Sequence, residues 1–142
     1  MIKTVQKTLG VPAHPRHLSE VRKQVEETLA EAGVPRRTAD QLVLAVDEAV
    51  SSIVHYAKFK KQDTEITLAM DVDDVRFKAT IVDAMNVFTE DGSLSDTARR
   101  EVLEKERAYG LGIFLMRRVL DEILYTYRKG FENELVLIRF LD

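Results

Sequence analysis

From about Arg37 to Ala57, the residues Leu42, Val43, Val46, Ala49, Val50, Ile53, Val54 and Ala57 recur at helical spacing. They make a broad apolar stripe that demands a core to lie on. One other long helix is predicted, from Leu18, Val21, Val25 and Leu29; Gly33 ends it, and Pro35 suits the first turn of the next. Much of what remains alternates instead. Ile2 to Val11 reads as a first strand, at an edge, before Pro12 and Pro15 break the chain. Ile66, Leu68, Met70 and Val72, then Val75, Phe77, Ala79 and Ile81, form a hairpin around Asp73-Asp74. A shorter helix over about Gly112 to Glu122 buries Ile113, Met116, Val119 and Leu120. Ile123 to Arg128 and Leu135 to Leu141 make a last hairpin around Gly130. So few helices cannot cover both faces of a sheet. The expected fold class is therefore α+β, a two-layer sandwich of one mixed, mostly antiparallel sheet with helices on one face. A length of 142 residues favours a single domain over residues 1–142.

Composition removes several classes of function. Hydrophobic residues make up 45% and charged residues 32%, which is ordinary for a globular protein and argues against disorder. A net charge of −3 argues against nucleic acid as the default partner. No cysteine is present, so disulfides and thiolate metal sites are excluded. No apolar run is long enough for a membrane span, and Met1 to Gln6 lack the apolar core of a secretory signal. A cytoplasmic protein is the expectation.

The polar residues that interrupt these patterns carry the functional signal. Tyr109-Gly110-Leu111-Gly112 opens an apolar, helix-period run. Glycines there let backbone N–H groups approach an anion at a helix start, although many helices simply begin after glycine. The preceding stretch, from Asn86 to Tyr109, is polar and charged, with one short helix expected near Ser95 to Glu106. A connection of that length is usually functional, often a lid. On the second long helix, Glu48, Ser52 and His55 share one face. They could activate a water or hydroxyl and help hold a metal, or form a solvated face of unrelated polar residues. Asp83 ends an apolar strand, where it suits either a ligand contact or a turn bonded to its own backbone. His14 and His17 fit the start of a helix better than a metal site. Arg99-Arg100, Arg107 and Arg117-Arg118 could meet phosphates or lie on solvated helix faces.

The stretch Leu44-Ala45-Val46-Asp47-Glu48-Ala49-Val50-Ser51-Ser52-Ile53-Val54-His55 resembles the N box of the histidine-kinase/Hsp90-type (GHKL) ATPase superfamily. The subtype it resembles is the anti-sigma factor serine kinases of bacterial partner switching. Ile81-Val82-Asp83-Ala84-Met85 is similar to the G1 box, and Tyr109 to Met116 to the G2 box. The resemblance implies a Bergerat-type ATPase fold that binds ATP and Mg²⁺. It implies Glu48 as general base for the attacking hydroxyl and Asp83 as the partner of the adenine amino group. Met85 and His55 fall in the nucleotide-binding boxes, and Gly110, Leu111 and Gly112 in the phosphate-binding lid. Family members bind a sigma factor and an anti-sigma antagonist, phosphorylate a serine of the antagonist, and usually dimerise. Three positions depart from the family pattern. Ser52 stands where an asparagine holds Mg²⁺, Met85 where a glycine lies against adenine, and Ala108 where the first lid glycine falls. A serine hydroxyl can ligate Mg²⁺ but is shorter than a carboxamide, and a methionine side chain can fill volume meant for the base. A binding-only regulator with a degenerate nucleotide site is the alternative these departures imply.

Overall fold

The computed structural model describes residues 2–85, 116–126 and 132–141. Strand β1 runs over Val5–Pro12. A 3-10 turn, Pro15–His17, leads into α1, Leu18–Ala32. His14 Nδ1 accepts the Arg16 N–H at 3.2 Å and caps that turn, so H-P-R-H is the start of a helix, as expected. Gly33 closes α1 in the left-handed region (φ 81°), donating to Ala30 O at 3.1 Å. A side chain there would clash with its own backbone, which is why the helix stops at this glycine. Helix α2 follows over Arg36–Phe59, with Pro35 at its N-cap.

Strands β2 (Glu65–Val72) and β3 (Arg76–Asp83) form the first hairpin. Its turn is held by Asp73, whose Oδ1 accepts the N–H groups of Val75 and Arg76 at 2.8 and 2.9 Å. Residues 116–119 are helical. Glu122 then begins β4 (Glu122–Thr126) instead of ending that helix, because Asp121 is bonded to the neighbouring strand. Its N–H donates to Ile138 O at 2.8 Å and its Oδ2 accepts the Phe140 N–H at 2.7 Å. The last strand, β5, spans Asn133–Phe140 and starts two residues earlier than the sequence pattern suggested. Gly130 and the 95–106 helix lie outside the described residues.

Among the described residues the strands form one sheet in the order β1-β2-β3-β5-β4. The expected mostly antiparallel sheet is antiparallel in each of these pairings, with β1 at an edge. Register aligns Leu68, Ile81 and Leu135 across three strands, and Met70, Ala79 and Leu137 beside them. All six are buried, and α1 and α2 pack on this face. Each of the five larger side chains, all but Ala79, contributes about 1.5–3 kcal/mol on removal from water, so this row holds the helices to the sheet. None of the described helices is long and apolar enough to cross a membrane.

Candidate functional site

The site is built where two apolar patterns are interrupted by acids. The first interruption is on α2. Ala45, Val46, Ala49, Val50 and Ile53 are at most 1% exposed, and Glu48 sits half-buried among them. Its Oε2 is buried with no hydrogen-bond partner. Burial, and then the neighbouring Asp47 carboxylate, push the Glu48 pKa above the usual carboxylate value. Asp47 is itself held by Arg22 of α1 at 3.1 Å. One turn beyond Glu48, Ser52 is 3% exposed, and its Oγ donates to the Glu48 carbonyl at 2.8 Å. That bond uses the hydroxyl hydrogen and leaves oxygen lone pairs free to accept. His55 is partly exposed. A solvated polar face is therefore not what Glu48 and Ser52 form: this segment of α2 is buried on nearly every side.

The second interruption is at the end of β3. Phe77, Ala79 and Ile81 point into the core at alternate positions, and the next position in that row is Asp83, at 1% exposed. Its Oδ1 accepts the Met85 N–H at 2.5 Å. Its Oδ2 is buried and unpaired. Burial drives the Asp83 pKa up to about 7, against the opposing pull of the Met85 amide and the Asn133 side chain. The turn reading and the ligand reading thus apply to different oxygens of one carboxylate. The turn uses Oδ1, and Oδ2 is left buried without a hydrogen bond of good geometry, with the Asn133 amide near the carboxylate.

Met85 follows, 4% exposed and part of the apolar core. Its carbonyl accepts from Asn133 Nδ2 at 3.0 Å. Asn133, 2% exposed and opposite Asp83 in register, lies outside the strand expected from Leu135 onward and so is absent from the sequence-based candidates. The signal was present: Asn133, Leu135 and Leu137 alternate, so a strand begun two residues earlier places an amide in the core row.

The structure thus joins Asp83, Met85 and Asn133 at one end of β3 and β5, and Glu48 with Ser52 along α2, which lies against β3. Gly110, Leu111 and Gly112 lie outside the described residues. Arg117 and Arg118 are exposed. Among the described residues, the buried side-chain atoms without a partner are Glu48 Oε2, Asp83 Oδ2 and Asn133 Oδ1. Buried polar groups are normally paired, so three acceptors left open at the motif strand ends and helix face suit a polar ligand with donor groups. An adenine amino group fits Asp83 Oδ2 on these grounds. For Mg²⁺ the oxygen on offer is Ser52 Oγ, the ligand type that ion prefers. No cluster of three acidic, histidine or cysteine ligands occurs among the described residues.

A helical layer on an antiparallel sheet, with an acid on the long helix and a buried aspartate at a strand end, defines a class, and comparison with known proteins agrees with it. Residues 11–139 match the family described as Histidine kinase-like ATPase domain, and the chain belongs to that family. Its resemblance to the anti-sigma factor serine kinases within the class also holds in its relatives. The serine-protein kinase RsbW of Listeria innocua serovar 6a is 27% identical over 126 residues, covering 87% of this chain and 80% of the relative. RsbW of Staphylococcus epidermidis is 27% identical over 126 residues (86% of this chain, 79% of the relative). RsbW of Bacillus subtilis (strain 168) is 23% identical over 125 residues (86% and 78%).

Proposed function

We propose that this chain is a partner-switching regulator of the anti-sigma kinase type, which binds ATP and transfers its terminal phosphoryl group to a serine of an anti-sigma antagonist protein. The observation that carries the reading is the unpaired, buried Asp83 Oδ2 in the core row of β3. A protein gains nothing in stability from such an atom, and it suits recognition of an exocyclic amine. Glu48, with a raised pKa and an open Oε2, takes the proton of the attacking serine hydroxyl. Phosphoryl transfer depends mainly on positioning and charge stabilisation; Ser52 would hold Mg²⁺, which would supply charge stabilisation when bound. His55, Gly110, Leu111 and Gly112 complete the nucleotide site in this reading. The relatives named serine-protein kinase support the reaction class. The same reading makes the chain a single cytoplasmic domain, paired as a homodimer, that controls transcription through a sigma factor and contacts neither nucleic acid nor membrane.

Incubation with Mg-ATP and the cognate antagonist should place phosphate on an antagonist serine, and Glu48→Ala should abolish transfer. Absence of transfer to an antagonist shown to bind would remove the kinase reading.

A second reading is favoured by two observations. Met85 fills core volume where a glycine would leave room for a base, and Ser52 spends its hydroxyl hydrogen on the helix backbone. On this reading the chain binds its protein partners without turning over ATP. Calorimetry separates the two. Micromolar ATP binding by the unaltered protein favours the kinase, whereas binding seen only in Ser52→Asn combined with Met85→Gly favours the binding-only regulator.

A further inference from the structure

The seam between α1 and α2 stays open near the turn that joins them. Gly33 turns the chain, the Val34 N–H donates to Leu29 O at 3.0 Å, and α2 runs back along α1, so that Arg22 meets Asp47 at 3.1 Å further along the pair. Close to the turn the facing residues are small. Ala30 and Ala39 add little bulk, and with Val34 and Val43 they floor a groove of about 340 Å³. A leucine in place of either alanine would fill it. The groove is of the size that accepts a ligand's apolar groups, and it lies on α1 and the first turns of α2, before Glu48 and Ser52. Its rim is acidic. Glu26, Glu27 and Asp40 face Arg36, which leaves a net charge of −2 around an apolar floor. Arg36 meets Asp40 at 3.2 Å on the same helix, and Lys23 reaches Glu27 only at 4.0 Å. Glu26 makes no ion pair among the described residues. The uncompensated charge therefore sits on the α1 side of the groove.

An apolar floor under an acid rim matches a helix with an apolar ridge and basic flanks. Of the partners in the reading above, the sigma factor is the one that meets DNA, and a DNA-binding surface carries Lys and Arg for the phosphates. We infer that the α1–α2 groove docks an amphipathic helix of the sigma factor, with its apolar ridge on Ala30, Val34, Ala39 and Val43 and its Lys or Arg side chains against Glu26 and Glu27. This rests on the partner-switching reading and names the surface that the DNA-binding partner occupies. The glutamates take up cations that phosphates would otherwise meet, so the helix held here is kept from DNA.

Calorimetry of the full chain against each purified sigma factor of its own organism, taken in turn, tests this. The wild type should bind one of them, and more weakly as salt rises. Reversing both rim charges, Glu26→Lys with Glu27→Lys, should weaken that binding at least ~tenfold and flatten its salt dependence. Ala30→Trp, which fills the groove, should also weaken it at least ~tenfold. ATP affinity should stay within about twofold of the wild type in both variants, which a general loss of structure would not allow. Should Ala30→Trp fail to fold, the charge reversal decides alone, because Glu26 and Glu27 are exposed. Unchanged sigma-factor binding in either folded variant overturns the groove and leaves the regulator standing. Loss of antagonist binding with sigma-factor binding kept overturns the choice of occupant. Failure of the wild type to bind any of the sigma factors overturns both this inference and the sigma partner of the reading beneath it.

Discussion

Two aspartates flank β3, and their side chains make the same local bond. Asp73 Oδ1 accepts the N–H of Val75, two residues on, and Asp83 Oδ1 accepts the N–H of Met85, also two residues on. The surroundings reverse the consequence. Asp73 is partly exposed and takes a second N–H from Arg76, and these backbone bonds hold its pKa below the ordinary value. Asp83 is 1% exposed, its second oxygen has no partner, and its pKa is pushed up to about 7. The residue two on follows suit: Val75 is 59% exposed and Met85 is 4% exposed. One turn motif serves the hairpin at one end of the strand and, placed in the core at the other, leaves a carboxylate oxygen open. A turn motif in sequence therefore does not decide between structure and function; the solvation of the second oxygen does.

The largest expected difference between the two aspartates is in the pH dependence of stability. The folded pKa of Asp83 lies above its unfolded value, so the native state holds the proton more tightly. Its contribution is fully present below the ordinary aspartate value of 3.8 and is lost as pH rises through about 7, with little further change above that. A rise from 3.8 to about 7 corresponds to a loss on the order of 4 kcal/mol across that window. Glu48 acts in the same direction. Urea unfolding at pH 5 and pH 8 should show the wild type less stable at pH 8, and Asp83→Asn should remove most of the difference. A wild type equally stable at both values would break the comparison.

Next in size is the residue each turn presents. Met85→Ala removes a side chain from the core and should cost about 2–4 kcal/mol, whereas Val75→Ala, at an exposed turn, should stay within about 0.5 kcal/mol. Comparable losses for the two, measured by denaturant midpoint, would show that Met85 is not packed as described.

The smallest effect belongs to Asp73, and it has the opposite sign. Its lowered folded pKa gives a contribution present above the unfolded value and lost as pH falls through the folded one. Asp73→Asn should flatten the acid side of the stability profile, below about pH 4, and lower stability by a small constant amount from pH 5 to 8 without changing the slope there.

Much of this arrangement was legible in the sequence. The helices α1 and α2, the first hairpin and its Asp73 turn follow from apolar periodicity and from the turn chemistry of Gly33, Pro35 and Asp73. Asp83 was visible as an acid at the end of an apolar strand, and Glu48 as an acid on a helix with a broad apolar face. Sequence pattern could not show how deeply each acid is buried, because that depends on the elements packed around it. Ser52 could have been solvent-facing by spacing alone; only the packed helix shows it at 3% exposure, bonded to the Glu48 carbonyl. Asn133 escaped because a polar residue at a strand start looks like the end of a loop. Pairing with β3 makes it a core residue. Glu122 went to β4 because Asp121 is tied to β5, a long-range bond that helical periodicity does not encode.

Titration of ATP into three proteins puts the central claim to its most direct test: the wild type, Asp83→Asn and Asp73→Asn, at pH 8 where Asp83 is ionised. Asp83→Asn keeps an oxygen for the Met85 N–H but can turn an NH₂ group toward the open position, setting donor against donor. The account predicts that ATP affinity falls by more than ~100-fold in Asp83→Asn and by less than about twofold in Asp73→Asn. Equal ATP affinity in the two variants would contradict it.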